Sequence, residues 1–144
     1  METHVNIATA EIVINSPVEQ VWDALVNPDV IKKYMFGAEV TSGWKPGDSI
    51  TWKGEWEGKP YEDRGKILKV KPREALQYSH YSPGSADQDF LESYHTVTVD
   101  LIPQNQQTLV VLHQDNNATI QAREKAEKNW KMMLAAMKNI LEGK

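Results

Sequence analysis

The stretch from Ala118 to Lys144 constrains this chain more than any other. It has no proline, and its only glycine is Gly143, one residue from the end. At about 100° per residue, Ala122, Ala126, Trp130, Met133, Leu134, Met137, Ile140 and Leu141 share one broad arc, with Arg123 as an exception inside it. Glu124, Lys128, Lys131, Lys138 and Glu142 are expected to point away from it. The pattern predicts an amphipathic helix of about six turns, with Lys138 and Lys144 suited to the negative pole of its dipole. A long helix that arrives last needs a wide apolar surface to lie on, so the rest of the chain must provide one.

The preceding residues do so with strands. Residues 5–14, VNIATAEIVI, end in alternating apolar positions. In Asn15-Ser16-Pro17-Val18-Glu19, Ser16 is expected to cap a helix, Pro17 to occupy its first position and Glu19 to complete a capping box. Val18, Val21, Trp22 and Leu25 then recur at helical spacing. Asn27-Pro28 ends that helix, and Asn27 can cap a second short one carrying Val30, Ile31 and Tyr34. From Ala38 the period changes to two. Glu39 to Ser42 is a short strand, and Gly43 to Asp48 form a turn. Ile50, Trp52, Gly54 and Trp56 make one face of the next strand. Residues 61–71 form another strand with a bulge expected at Gly65, and Leu76, Tyr78 and His80 share one face of the strand after it. Residues 82–89 read as a polar loop, and 92–102 with 107–115 as a final hairpin. One strand, two short helices, further antiparallel strands and a terminal long helix define an α+β domain spanning residues 1–144. A sheet of that size twists and curls, and its hollow can receive the helix.

Composition narrows the chemistry. With no cysteine in the chain, disulfides, thiol nucleophiles and thiolate metal sites are excluded. The N-terminal METHVNIATA lacks a signal-peptide pattern, and no apolar run has membrane-spanning length, so a cytoplasmic location without membrane contact is expected. The net charge of −4 argues against nucleic acid as a partner. Phosphate-loop, dinucleotide and zinc-protease motifs are absent, and no cofactor is expected.

Asn15 to Leu25, Pro28-Asp29 with Lys33-Tyr34-Met35, Gly43-Trp44-Lys45-Pro46-Gly47-Asp48, Gly65-Lys66-Ile67 before Pro72, Leu109 to Gln114 and Trp130 together resemble the START/Bet v 1-like helix-grip superfamily. Within it, the chain is similar to the bacterial family that resembles the C-terminal domain of the activator of the heat-shock protein 90 ATPase. Asn129 departs from the pattern, since many relatives have glycine before the tryptophan. The resemblance implies a curved antiparallel sheet of six or seven strands around the C-terminal helix, with a cavity between them. Its walls would come from Trp52, Trp56, Tyr78, His80, Val97, Val99, Leu109, Val111 and His113 on the strands. Trp130, Met133 and Met137 would come from the helix.

Aromatic and methionine side chains with few polar handles suit an apolar planar ligand. Tyr78, His80 and His113 are those handles. His80, His95 and His113 lie on successive strands but without metal-ligand spacing, so no metal is expected. Glu55, Asp63, Glu92 and Asp100 alternate with apolar neighbours and are expected to face water, leaving no acid–base pair. The leading reading is a binding protein for a small apolar or aromatic molecule, as a monomer or weak dimer, with binding favoured over catalysis. The alternatives are a chaperone-regulating or other protein-binding module, or an enzyme of the cyclase or aromatase type.

Overall fold

In the computed structural model, residues 7–82 and 94–143 are described, apart from the side chain of Trp56. Their order is β1 (Ala8–Ile14), α1 (Val18–Val26), α2 (Pro28–Tyr34), β2 (Glu39–Ser42), β3 (Ser49–Trp56), β4 (Lys59–Lys71), β5 (Ala75–His80), β6 (His95–Gln104), β7 (Gln107–Gln114) and α3 (Ile120–Leu141). The strands form one antiparallel sheet in the order β1-β7-β6-β5-β4-β3-β2. This is the expected helix-grip architecture, with seven strands. The loop expected over 82–89 and the first residues of the strand expected at 92 lie outside the described residues, apart from Ser82.

Period-two burial builds one apolar face. Ala10 and Ile14 on β1, Ile50 and Trp52 on β3, Leu76 and Tyr78 on β5, and Val97 and Val99 on β6 are buried together with Met133, Leu134 and Met137 of α3. The turn between β3 and β4 is Glu57-Gly58, both at positive φ (54° and 80°). Paired left-handed residues are what a tight two-residue hairpin needs, because their twist matches that of the strands.

Two local expectations are corrected. The residue at the start of α1 is Pro17, which has no side chain to cap with, and the helix begins at Val18. Ser16 lies one residue too early. It is only 3% exposed, and its hydroxyl donates to Gln20 Oε1 at 2.8 Å. Its carbonyl accepts from Thr108 Oγ1 at 2.9 Å, so Ser16 fastens the β1–α1 corner to β7 and caps nothing. The bulge in β4 falls between Ile67 and Lys69, not at Gly65. Gly65 has a different reason: a Cβ there would collide with the Ser79 carbonyl of β5, so only glycine lets the two backbones approach.

Asn27 does cap α2, its Oδ1 accepting from the Asp29 amide at 3.0 Å. Thr119 caps α3, accepting from the Ala122 amide at 3.0 Å. Lys138 and Glu142 do not point away. Lys138 Nζ donates to the Val13 carbonyl at 2.9 Å and pairs with Glu142 at 2.6 Å. Glu142 in turn accepts from the Asn15 amide at 2.7 Å, and Glu127 accepts from the Thr9 amide at 3.0 Å. Polar side chains of α3 thus engage the outer edge of β1, where backbone groups would otherwise meet only water.

Candidate functional site

The core is not uniform along α3. Toward the middle of the helix, the void bounded by Leu25, Tyr34, Ile50, Leu112 and Leu134 is about 20 Å³, roughly room for one water. Toward its N-terminal half, the helix and sheet separate around an open cavity of about 740 Å³. A space of that size suits a drug-sized molecule, for which pockets of about 300–1,000 Å³ are usual. Small side chains make the gap: Ala122 and Ala126 face the cavity where bulky residues would fill it.

Of the residues expected there, Trp52, Tyr78, His80, Trp130 and Met133 line the cavity. Val97, Val99 and Met137 share the concave face but are sealed within the packed core. The side chain of Trp56 lies outside the described residues. Leu109, Val111 and His113 are misassigned. The buried residues of β7 are Thr108, Val110 and Leu112, and Gln114 continues that face to the cavity. Adjacent strand residues project to opposite faces, so Leu109, Val111 and His113 lie on the convex side.

The polar part of the wall is a row across four strands. Trp52 pairs with Asp63 between β3 and β4, and His80 pairs with His95 between β5 and β6. Asp63 was expected in water, yet its Oδ2 accepts from His80 Nε2 at 2.9 Å, and both side chains are mostly buried (17% and 26% exposed). Its Oδ1 is buried without a hydrogen-bond partner among the described residues. The His80 ring meets Trp52 edge-on at 5.0 Å and stacks with His95 at 6.4 Å. His95 Nδ1 is 2.8 Å from the Asp115 carbonyl oxygen, which can only accept, so the proton sits on Nδ1. Parity carried the missed signal: Asp63 is four residues from the buried Ile67 and two from Tyr61, another cavity residue.

Tyr78 and Tyr61 add hydroxyl groups. Burial pushes the Tyr78 hydroxyl well above its ordinary pKa. Burial, and then the nearby Asp63 charge, raise that of Tyr61. Both therefore remain protonated near neutrality and can donate. On the helix side, Trp130 Nε1 donates to Gln114 Oε1 at 2.6 Å. Gln114 Nε2 donates to Asn117 Oδ1 at 3.1 Å, which fixes the wall where β7 runs into α3. Asn129, the departure from the family pattern, also lines the cavity. Among the described residues no group of three potential metal ligands converges, and no helix is long and apolar enough to cross a membrane.

Residues 15–142 match the model of the family described as Activator of Hsp90 ATPase homolog 1-like protein. The solution structure of ChR145 from Cytophaga hutchinsonii is 50% identical, with a TM-score of 0.85 over 99% of this chain and 97% of that one. MLL2253 from Mesorhizobium loti is 21% identical, with a TM-score of 0.77 over 94% of this chain and 96% of that one. The solution structure of the Aha1 dimer from Colwellia psychrerythraea is 20% identical, with a TM-score of 0.73 over 94% and 96% of the two chains. The last two establish likeness of fold. No curated protein matches the chain.

Proposed function

We propose, from the premise that this chain belongs to the family of Activator of Hsp90 ATPase homolog 1-like proteins, that it binds a small, largely apolar planar molecule between the sheet and the first half of α3. The observation that carries this reading is the open cavity of about 740 Å³ beside a core packed to a void of about 20 Å³. A chain that fills one end of its interior so closely and leaves the other open has room there for a guest. Trp52, Tyr78 and Trp130 offer aromatic surface and Met133 an adaptable one. The His80–Asp63 pair, His95 and the Tyr61 hydroxyl gather at the strand side of the wall, where a polar substituent on the ligand would be oriented.

The test is titration with flavonoid-like, fatty-acid and polyketide-like compounds, followed by amide resonances and melting temperature. A ligand should shift Trp52, Tyr78, His80 and Trp130 together and raise the melting temperature with occupancy, since only the folded state has the cavity. Resonances of Leu109, Val111 and His113 should stay in place. Absence of any shift across the panel sinks this reading.

A protein partner is the second reading, and one observation favours it. Val13 of β1 pairs with Leu109 of β7, which pairs with Ile102 of β6. Val13 and Ile102 are exposed large apolar residues, so three neighbouring strands present an apolar row on the convex side. A chaperone or other protein using that row would shift Leu109 and leave His80 unmoved.

A further inference from the structure

The cavity wall contains a histidine held in one orientation from three sides. Asp63 on β4 accepts from Nε2 of His80 at 2.9 Å, Trp52 of β3 meets its ring edge-on, and His95 of β6 stacks against it. A carboxylate can only accept, so Nε2 carries a proton, and in the neutral ring Nδ1 then keeps its lone pair. Nδ1 makes no hydrogen bond among the described residues. A neutral imidazole fixed in one tautomer by a carboxylate, with its other nitrogen left for a ligand, is the arrangement a general base requires.

A second feature points the same way. Asp63 Oδ1 is buried and has no hydrogen-bond partner among the described residues. Buried carboxylate oxygens are normally satisfied, and one that is not calls for an explanation. Beside a neutral histidine, the Asp63 carboxylate keeps one oxygen and its negative charge without compensation among the described residues. As the partner of an imidazolium, its charge is compensated, because positive charge arising on His80 would lie 2.9 Å from a mostly buried carboxylate.

We propose that His80 is a catalytic base and acid, with Asp63 as its positioning residue, acting on an enolisable carbonyl compound with an aromatic or otherwise apolar body. This rests on the small-molecule reading above and adds a reaction to it. His80 Nδ1 takes a proton from the carbon next to the carbonyl. The C–H electron pair becomes a carbon–carbon double bond, and the carbonyl π electrons move to oxygen. The imidazolium then returns the proton to that carbon or to a conjugated one, so no oxidant, reductant or leaving group is involved. The Tyr61 hydroxyl, on the same cavity wall and held protonated by burial and by Asp63, would donate toward the developing enolate oxygen. Among the described residues, the other titratable groups around the cavity are His95 from β6, Tyr78 from β5 and Lys125 from α3.

The experiment uses 2-tetralone and 1-indanone as probes in heavy water. Deuterium incorporation next to the carbonyl is followed by mass spectrometry, and binding is followed by amide shifts. The wild-type protein should bind a probe and accelerate exchange about 10²-fold or more over buffer at equal pH, as positioned acid–base groups do. His80→Gln should return exchange to the buffer rate while binding persists. Asp63→Asn should lower exchange and displace its pH profile, which the loss of a purely structural contact would not do. Should His80→Gln fail to fold, Asp63→Asn with the wild-type pH profile decides. Probe binding with exchange no faster than in buffer overturns the proton-transfer role and leaves the binding role standing. Rapid exchange that survives folded His80→Gln places the base elsewhere and also overturns it. Failure of both probes to bind overturns the reaction on enolisable carbonyl compounds, while the cavity reading stands or falls with the wider panel above.

Discussion

The indole N–H of Trp130 donates to the side-chain oxygen of Gln114 at 2.6 Å, and this bond joins α3 to the end of β7 on the cavity wall. Trp130 is half-buried, so its ring contributes through one apolar face and one polar edge. Trp130→Phe keeps most of the face and strands the Gln114 oxygen, at a cost of about 1–2 kcal/mol. Trp130→Ala should cost more, but less than the roughly 3–5 kcal/mol of a fully enclosed aromatic. Urea denaturation of both variants checks the order, and adding Gln114→Leu to Trp130→Phe should recover part of the loss.

Ser16→Ala and Gln20→Ala should each destabilise by about 0.5–1.5 kcal/mol, and the double variant should fall short of their sum because they break the same bond. Glu19→Ala should leave stability nearly unchanged. A loss at Glu19 as large as that at Ser16 would restore the capping box that the structure lacks.

Thr119→Ala removes the acceptor for the Ala122 amide and should cost about 1 kcal/mol, as cap substitutions do. The frayed first turn carries Ala122 and borders Ala126, both on the cavity wall. Ligand affinity should therefore weaken along with stability, which calorimetry on the variant would measure.

Tyr34 and Tyr78 are both buried, and burial holds their hydroxyl groups protonated well above the ordinary value. Tyr34 also donates to the Ala24 carbonyl at 2.8 Å. In the unfolded chain a tyrosine releases its proton near pH 10, roughly its unperturbed pKa. Above that pH the folded state binds more protons than the unfolded one, so stability falls as pH rises. Below it this contribution is constant. Denaturation midpoints should thus be flat in this respect up to about pH 10 and then decline, and Tyr78→Phe should make the alkaline decline shallower.

Much of this architecture could be read from residues alone, and the exceptions have definite causes. The last helix was legible because Trp130, Met133, Leu134 and Met137 recur at its period without a breaker. The face of β7 was not. Thr108 to His113 reads TLVVLH, apolar on both sides, and nothing local says which alternate set is inside. Pairing decides it: Leu112 sits opposite Ala10 and Val99, both buried. Asp63 was misread because a carboxylate between charged neighbours resembles a solvated strand, and only the fold brings His80, 17 residues away, within 2.9 Å. Ser16 was misread by one position, since Pro17 both favours the first helical turn and can occupy the cap.

Glu127 and Lys138 reach the backbone of β1 along its outer side and Glu142 that of Asn15 just after it, and this bears on how copies of the chain can stack. An endless cross-strand ribbon needs every molecule to offer two open sheet borders. Here α3 obstructs one of them, and the other is β2, a strand of only four residues with α2 beside it. Two molecules meeting through β2 would consume both free borders in a single closed pair, with nothing left to recruit a third. Release of the end of α3, by Lys138→Ala with Glu142→Ala, would reopen the second border and turn a self-limiting contact into one that can grow.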